Sequence, residues 1–296
     1  MAERRKSRNI LCLFLITAAF FLFIQSQSLG KNKTAEIGSA DMLRYYAVNV
    51  GQGDCTFFAF PNGQNMMVDA GTPKSYGAIK AFLKEHGVKK IDLFVATHPH
   101  SDHIGSACKI IRNFNVKEVW DSGYVSGSKY QKDLYSAIKA DKKIAFKVPT
   151  AGHVRNFGNV SVKVLAPVRI LKGTNSDANN NSIVMLVAYG DVSFLMTGDM
   201  ERPERDTFNI PRAAVLKAAH HGSRDGTNKW LLNRVRPKII TFSYGAGNEY
   251  GHPHKEAVKA VKAFNLIRFD TVDGTVCLAT DGRRIKYNEK QVVSGE

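Results

Sequence analysis

Short apolar runs bounded by glycine, proline and polar residues recur along this chain, and they alternate with segments of helical periodicity. Short, mostly apolar runs are typical of buried strands, and longer segments with apolar residues three or four apart are typical of helices. We predict helices at 75–86, 130–140 and 255–264, with a shorter one at 230–233. Strands are predicted at 42–50, 55–60, 66–68, 91–96, 117–120, 143–148, 160–165, 183–188, 192–196, 214–219, 238–243, 267–269 and 276–279. Two batches of strands with helices between them predict an α/β fold with two sheets covered by helices.

Residue types that bind metals follow directly after several of these strands. Residues 97–103 come after the strand at 91–96 and read THPHSDH, in which four of the seven residues are His or Asp. Asp69 and Asp199 each follow a further strand, and adjacent histidines stand at 220–221. Because open α/β sheets place their sites beyond the carboxyl ends of strands, we expect these side chains to share one rim.

The spacing inside the His-rich loop lets that loop serve two metal ions. His98 and His100 are two residues apart, so an extended backbone can point both the same way. Asp102 and His103 can reach a second point as the chain turns into a helix. Imidazole suits zinc, and a mixed set of imidazole and carboxylate suits zinc, iron or manganese.

The H-x-H-x-D-H pattern of residues 98–103 resembles that of hydrolases of the metallo-β-lactamase superfamily. This resemblance implies a four-layer αββα sandwich that binds one or two Zn²⁺ ions, with Mn²⁺ as the alternative. It also implies that Asp69 supports the ligand loop through hydrogen bonds or acts as a weak ligand. The implied ligands are His98 and His100 for the first metal, and Asp102, His103 and His221 for the second, with Asp199 shared.

The first metal lacks the further histidine that this superfamily usually supplies before the shared Asp. Between the His-rich loop and Asp199 the chain has only His153, well before the expected strand. Residues 177–184 read DANNNSIV at the expected place, so Asn180 or a neighbour is a candidate weak ligand. An amide oxygen binds zinc more weakly than imidazole does, so we expect two unequal metal sites unless His153 completes the first one.

Further motifs narrow the resemblance to one branch, the soluble domain of ComEC-type DNA-uptake competence proteins. They are NVGQGD at 49–54, NNNS at 179–182, HHGS at 220–223 and NEYGHPH at 248–254. The similarity extends over roughly residues 42–285. It implies a metal-dependent phosphodiesterase or nuclease that acts on DNA through a metal-activated hydroxide.

The predicted catalytic residues are Asp102, His220 and His252. Either histidine could donate a proton to a leaving oxygen near neutral pH. The choice of His221 rather than its neighbour as the metal ligand follows the superfamily, in which the ligand ends a similar strand.

The formal net charge of this chain of 296 residues is +16, which favours an anionic partner. Nucleic acid is the first predicted partner, and a cell-wall or teichoic-type phosphodiester polymer is the alternative. A non-catalytic, anchored nucleic-acid-binding protein with a structural metal is the alternative from another class. The scattered cysteines after the first segment make no disulfide framework.

The N-terminus predicts export. Four basic residues within 1–9 precede an apolar run at 10–24, and a polar stretch follows. We therefore predict a signal peptide or N-terminal membrane anchor at 1–28, a linker at 29–41 and a hydrolase domain at 42–296. The protein would be extracellular, or anchored at the outer face of the cytoplasmic membrane, with membrane contact only through this segment.

Overall fold

The computed structural model describes residues 42–287 and 290–294, so the predicted signal or anchor and the linker lie outside the described residues. The strands are β1 (Leu43–Ala47), β2 (Thr56–Ala59), β3 (Asn65–Val68), β4 (Lys90–Ile91), β5 (Leu93–Ala96), β6 (Asn115–Val116), β7 (Glu118–Asp121), β8 (Ala145–Lys147), β9 (Val154–Phe157), β10 (Val160–Ala166), β11 (Val184–Tyr189), β12 (Val192–Met196), β13 (Val215–Lys217), β14 (Ile239–Phe242), β15 (Ile267–Asp270), β16 (Val276–Thr280), β17 (Arg284–Tyr287) and β18 (Lys290–Ser294). The helices are α1 (Tyr76–Glu85), α2 (Ser101–Ile104), α3 (Ala107–Asn113), α4 (Lys129–Ala140), α5 (Arg202–Arg205), α6 (Lys229–Val235) and α7 (Lys255–Ala263).

Two mixed sheets face each other. The first has the order β18-β17-β16-β1-β2-β3-β5-β7-β8, and the second has the order β15-β14-β13-β12-β11-β10-β9. Between them lies an apolar layer in which the Tyr45 ring stacks on Phe194 with centroids 5.3 Å apart and meets the edge of Phe58. The Tyr45 hydroxyl also hydrogen-bonds the Thr241 hydroxyl of the other sheet at 2.7 Å.

Helices cover the outer face of each sheet. Helices α1, α3 and α4 bury one apolar stripe each on the first sheet, and α6 and α7 do the same on the second. Burial of these stripes is what stabilises such amphipathic helices in a folded domain. The predicted four-layer αββα arrangement is confirmed.

Each sheet has an antiparallel part and a parallel part, and the candidate site residues follow strands of the parallel part. Strands β3, β5 and β7 pair in parallel in the first sheet, and β12, β13 and β14 do so in the second. Parallel neighbours end at the same edge, so the polar residues that follow them gather at one rim. The sequence therefore delivers Asp69, the His-rich loop, Asp199 and the 220–221 pair to neighbouring points.

The principal differences from the predicted elements lie at the sheet margins. Strands β9, β17 and β18 were not predicted; β9 and β18 are the last strands of their sheets, and their polar residues give no apolar run. Within the described residues, no helix has the length and apolar character that a membrane span requires.

Candidate metal centre

The His-rich loop is held from behind by Asp69. The Thr97 backbone N–H and hydroxyl donate to the two Asp69 carboxylate oxygens at 2.8 and 2.7 Å. Asp69 itself has a positive φ of 60°, an uncommon conformation for a residue other than glycine. Asp69 is thus placed as a support of the loop, because both of its oxygens already accept hydrogen bonds there.

His98 and His100 converge on a first point, as their spacing predicts. The His98 Nε2 and His100 Nδ1 atoms lie 3.1 Å apart, and His98 is buried. The His98 Nδ1 atom lies 3.4 Å from the Ser182 hydroxyl, which fixes the ring from its other side. Burial holds the pKa of His98 well below its usual value, so this imidazole is neutral and offers a lone pair.

His103 and His221 converge on a second point. Their Nε2 atoms lie 3.2 Å apart, and an Asp102 oxygen lies 3.2 Å from the His221 Nε2 atom. The two Asp199 oxygens lie 3.3 Å from the His103 Nε2 atom and 3.4 Å from the His221 Nε2 atom. Asp199 also lies 3.8 Å from His98, so its carboxylate stands between the two points.

The hydrogen bonds of the Nδ1 atoms of His103 and His221 show that the Nε2 atom of each ring faces the second point. The His221 Nδ1 atom donates to the Ser243 carbonyl oxygen at 2.9 Å, and the His103 Nδ1 atom lies 2.7 Å from an Asp69 oxygen. A proton on each Nδ1 leaves each neutral ring with its lone pair on Nε2. Two such lone pairs aimed at each other repel unless a cation stands between them.

These distances fit a metal ion. Two nitrogens that each lie about 2.0–2.1 Å from a tetrahedral zinc ion are about 3.3 Å apart, close to the spacing at both points. Burial lowers the pKa of His103, but the Asp199 and Asp69 charges outweigh it and hold that pKa well above its usual value. The Asp199 and Asp69 carboxylates therefore stabilise a positive charge beside His103, carried either by a proton or by a metal ion.

Asp54 belongs to this centre, and sequence reasoning missed it. Asp54, His103, Asp199 and His221 offer ligand atoms that all lie within 4.8 Å of one another. However, Asp54 lies at the rear nitrogens, 3.4 Å from the His221 Nδ1 atom and 3.8 Å from the His103 Nδ1 atom. We therefore place it as a support of the two imidazoles, with Asp102 rather than Asp54 at the front. The NVGQGD motif was the available signal, because it ends at this residue.

That motif also supports Asp102. The Asp54 backbone N–H donates to the Asp102 carbonyl oxygen at 3.0 Å. A Cβ atom at Gly53 would stand 2.2 Å from the same oxygen, so only glycine allows this close approach. The turn after β1 thus fixes the backbone of a predicted ligand.

Lys217 is a second missed residue, and it is buried at the end of β13. Its ammonium forms an ion pair with Asp54, donates to the Gly198 carbonyl oxygen at 3.3 Å and lies 3.9 Å from Asp199. Burial raises the pKa of Asp54, but Lys217 and His221 outweigh it and hold that pKa below its usual value. Nothing in the sequence distinguishes this lysine from a surface lysine on a strand.

The asparagine segment approaches the site through Asn179, a neighbour of the Asn180 that the sequence analysis named first. The Asn180 side chain is occupied elsewhere: its Oδ1 accepts from the Glu204 N–H at 3.3 Å, and its Nδ2 donates to the Ser176 carbonyl oxygen at 2.9 Å. Its neighbour Asn179 is buried, with Nδ2 3.5 Å from the His220 Nε2 atom. The Asn179 Oδ1 atom has no hydrogen-bond partner within the part of the chain described. The alternative residue, His153, packs its ring against Trp120 instead.

His220 and His221 both enter the site because the backbone turns sharply between them. Their φ angles are 50° and 51°, so two adjacent side chains face the same cavity rather than opposite sides. The His220 Nδ1 atom lies 2.9 Å from a Glu201 oxygen, and its Nε2 atom lies 3.7 Å from Asp199. Burial raises the pKa of Glu201, but the hydrogen bonds from His220 and Asn175 outweigh it and lower that pKa.

His252 closes the far side of the site. Its ring centroid lies 5.2 Å from that of His220 and 6.0 Å from that of His221. Burial, together with the neighbouring histidines, lowers the pKa of His252 to about 4, so the ring is neutral at physiological pH. The cavity between these groups has a volume of about 220 Å³. Its lining is formed by His100, Ser101, Asp102, Asp199, His220, His221, Tyr250 and His252.

Comparison with known protein families and structures agrees with this arrangement. The model of the family described as "Metallo-beta-lactamase superfamily" matches residues 48–245. The solved structure of the metallo-beta-lactamase fold protein YhfI from Bacillus subtilis superposes with a TM-score of 0.54 at 11% identity, covering 78% of this chain and 96% of that one. An identity this low shows similarity of fold alone.

Two curated relatives carry the sequence similarity further. The chain is 28% identical over 263 residues to ComE operon protein 3 of Bacillus subtilis, covering 81% of this chain and 32% of that protein. It is 24% identical over 278 residues to Competence protein ComA of Neisseria gonorrhoeae, covering 87% of this chain and 37% of that protein. The chain thus spans about a third of the length of these relatives. The predicted resemblance to competence proteins is confirmed as distant homology.

Proposed function

Because the chain belongs to the metallo-β-lactamase superfamily and is related to competence proteins, we propose that it is an exported metal-dependent phosphodiesterase that cleaves nucleic acid. The observation that carries the proposal is the pair of converging points that share Asp199. Each point brings two imidazole nitrogens within 3.1–3.2 Å. Asp199 lies 3.8 Å from His98 at the first point, and 3.3 and 3.4 Å from His103 and His221 at the second. Two-metal centres of this kind suit in-line displacement at phosphorus.

The residues of the site fall into two groups: those that would bind metal, and those that hold the ligand side chains in place. His98 and His100 would bind a first ion, with Asp102, His103 and His221 for a second and Asp199 between them. The bound ions would polarise a phosphoryl oxygen and lower the pKa of an attacking water. The choice of Zn²⁺, with Mn²⁺ as the alternative, rests on this mixture of imidazole and carboxylate.

Supporting residues fix the orientation of the imidazoles. Asp69, Asp54 and the Ser243 carbonyl oxygen occupy the Nδ1 side of His103 and His221. Such partners set the tautomer and raise the basicity of the coordinating nitrogen. Lys217 keeps Asp54 ionised and in place, so it acts on the site through that carboxylate.

We assign proton donation to His220. Its Nε2 atom faces the cavity, and the ionised Glu201 holds its Nδ1 atom, so the ring can carry a proton towards a leaving oxygen. His252 is buried and uncharged at neutral pH, so it suits hydrogen bonding to the substrate better than protonating it. This assignment separates the two predicted candidates for the proton donor.

The net charge and the homology to competence proteins support nucleic acid as the substrate. The net charge of +16 favours a polyanionic chain, and such binding weakens steeply with salt. The predicted secretory segment supports action outside the cytoplasm. A cell-wall or teichoic-type phosphodiester polymer would meet the same charge, so both polymers belong in the test.

The test compares wild-type protein with Asp199→Asn and with Asp206→Asn, a control carboxylate that is about half exposed and ion-paired with Arg202. Each protein is stripped with a chelator and reloaded with Zn²⁺ or Mn²⁺, and metal content is measured. Turnover of single-stranded DNA, duplex DNA and a teichoic-type polymer is then followed. Metal-dependent DNA cleavage that Asp199→Asn loses together with its metal, and Asp206→Asn keeps, supports the proposal. Hydrolysis of the wall polymer alone would assign the other substrate, and normal metal content without turnover would indicate a non-catalytic protein.

A further inference from the structure

An exposed aromatic ring stands at the mouth of the metal centre. Tyr250 is 54% exposed, so its ring is open to solvent at this point. Its ring stacks on that of His252, with centroids 5.7 Å apart and an interplanar angle of 24°. The exposed Trp230 differs, because the guanidinium groups of Arg205 and Arg234 lie over its ring.

The loop that carries Tyr250 is anchored beneath the ring. The Asn248 side chain accepts from the His252 N–H at 2.9 Å and donates to the His252 carbonyl oxygen at 2.7 Å. It also donates to the Gly245 carbonyl oxygen at 3.0 Å, which closes the base of the loop. Because His252 is itself buried, the stacked ring is presented in one orientation rather than on a free side chain.

The size of the cavity places most of the substrate outside it. Pockets that enclose a small ligand have volumes of about 300–1,000 Å³, and this cavity measures about 220 Å³. It can therefore admit a diester group, while the flanking parts of a polymer lie across the mouth. Tyr250 lines that mouth beside Asp102 and His221, so the ring meets whatever is attached to the diester.

We propose that Tyr250, backed by His252, is a stacking platform for a nucleobase of single-stranded nucleic acid next to the metal centre, an inference that rests on the proposed nuclease function. Every base has a π face, so stacking on tyrosine tolerates any sequence. Paired bases inside a duplex have both faces covered, which directs the platform to single strands or frayed ends. A glycerol or ribitol phosphate polymer has no aromatic face and gains only C–H contacts from the ring.

The experiment measures binding by titration calorimetry, with metal-free protein so that the strand stays intact. The probes are oligo(dT) of about eight nucleotides, within the length range of single-strand sites, an abasic strand with the same number of phosphates, and poly(glycerol phosphate). The proteins are wild type, Tyr250→Leu and Tyr250→Phe at one salt concentration. Loss of one stacked base weakens binding by roughly 5- to 150-fold.

We expect Tyr250→Leu to show that loss on oligo(dT), Tyr250→Phe to bind as wild type, and all three to bind the abasic strand equally. Equal binding of oligo(dT) by wild type and Tyr250→Leu would overturn the platform. An equal loss on the abasic strand or on poly(glycerol phosphate) would also overturn it, since the ring would then be packing against the backbone. Metal-loaded protein supplies the separate readout: tyrosine-dependent binding of oligo(dT) without any cleavage would refute the nuclease and leave the platform standing.

Discussion

The interior ion pair of Lys217 and Asp54 offers a sharp test of how the metal centre is supported. Both residues are buried, with exposures of 2% and 4%. Lys217→Met keeps most of the apolar stem and removes the charge. The substitution leaves the carboxylate of Asp54 buried without its lysine counterion.

The expected magnitude follows from this burial. Breaking a buried ion pair by removing one partner costs about 3–5 kcal/mol, because the other charge stays desolvated. In a domain of this size, each kcal/mol lowers the melting temperature by about 2–4 °C. We therefore expect Lys217→Met to melt roughly 6–20 °C below the wild-type protein when both are metal-free.

Two controls isolate the charge from the loss of a lysine. Lys163→Met removes an exposed lysine from strand β10 and should melt within about a degree or two of wild type. The double variant Asp54→Asn with Lys217→Met removes both charges, so it should recover much of the single variant's loss. Thermal unfolding followed by circular dichroism in the presence of a chelator measures all four proteins.

Two results would contradict the reasoning. A drop of no more than a couple of degrees in Lys217→Met would mean that the Asp54 charge is solvated or protonated once the lysine is gone. A double variant less stable than Lys217→Met would mean that the two side chains stabilise the protein independently rather than as a pair.

Three further predictions concern the surroundings of the site. Asn179→His should increase the affinity of the weaker metal site in a zinc titration, because Asn179 lies beside His220. Asn180→His should not, because the Asn180 side chain faces Ser176 and Glu204. The reverse order would show that the segment is turned the other way. Glu201→Gln should lower kcat more than KM, because the His220 ring loses the carboxylate that orients it; an unchanged kcat would exclude that role. Burial raises the pKa of Glu204 well above 4.5, and the Ser182 N–H counteracts this only in part. Above about pH 4.5, Glu204 therefore keeps its proton in the folded protein but has lost it in the unfolded chain. The contribution of Glu204 to stability accordingly falls as the pH rises. The difference in free energy of unfolding between Glu204→Gln and wild type, measured with urea, should therefore move in favour of Glu204→Gln as the pH rises above about 4.5, and a constant difference would refute the burial argument.

The central elements of the fold were predictable because their signal is local. Strands such as β5 and β12 are short apolar runs followed at once by a polar residue, so pattern and position agree. The margins of the sheets carry no such signal. Strands β9 and β17 read VRNF and RIKY, and they pair because neighbouring strands already offer an edge.

The front of the candidate site was predictable, and its rear was not. Several metal-binding residues within one loop, such as His98 and His103, can be recognised as candidate ligands from their spacing. Asp54 and Lys217 stand 163 positions apart, and only the packing of two sheets brings them together. The difference between Asn179 and Asn180 depends on one position within a 3₁₀ turn, which no composition argument resolves.

The division of the ligands between the two sheets has a mechanical consequence. His103 follows a strand of the first sheet, whereas Asp199 and His221 follow strands of the second. An ion at the second point would therefore connect the two sheets at their rim, beside the backbone hydrogen bond that the Ile183 N–H donates to the Thr97 carbonyl oxygen. Parting the sheets would require release of the ion, so loading with metal should slow the opening of this rim far more than it slows the fraying of the edge strands.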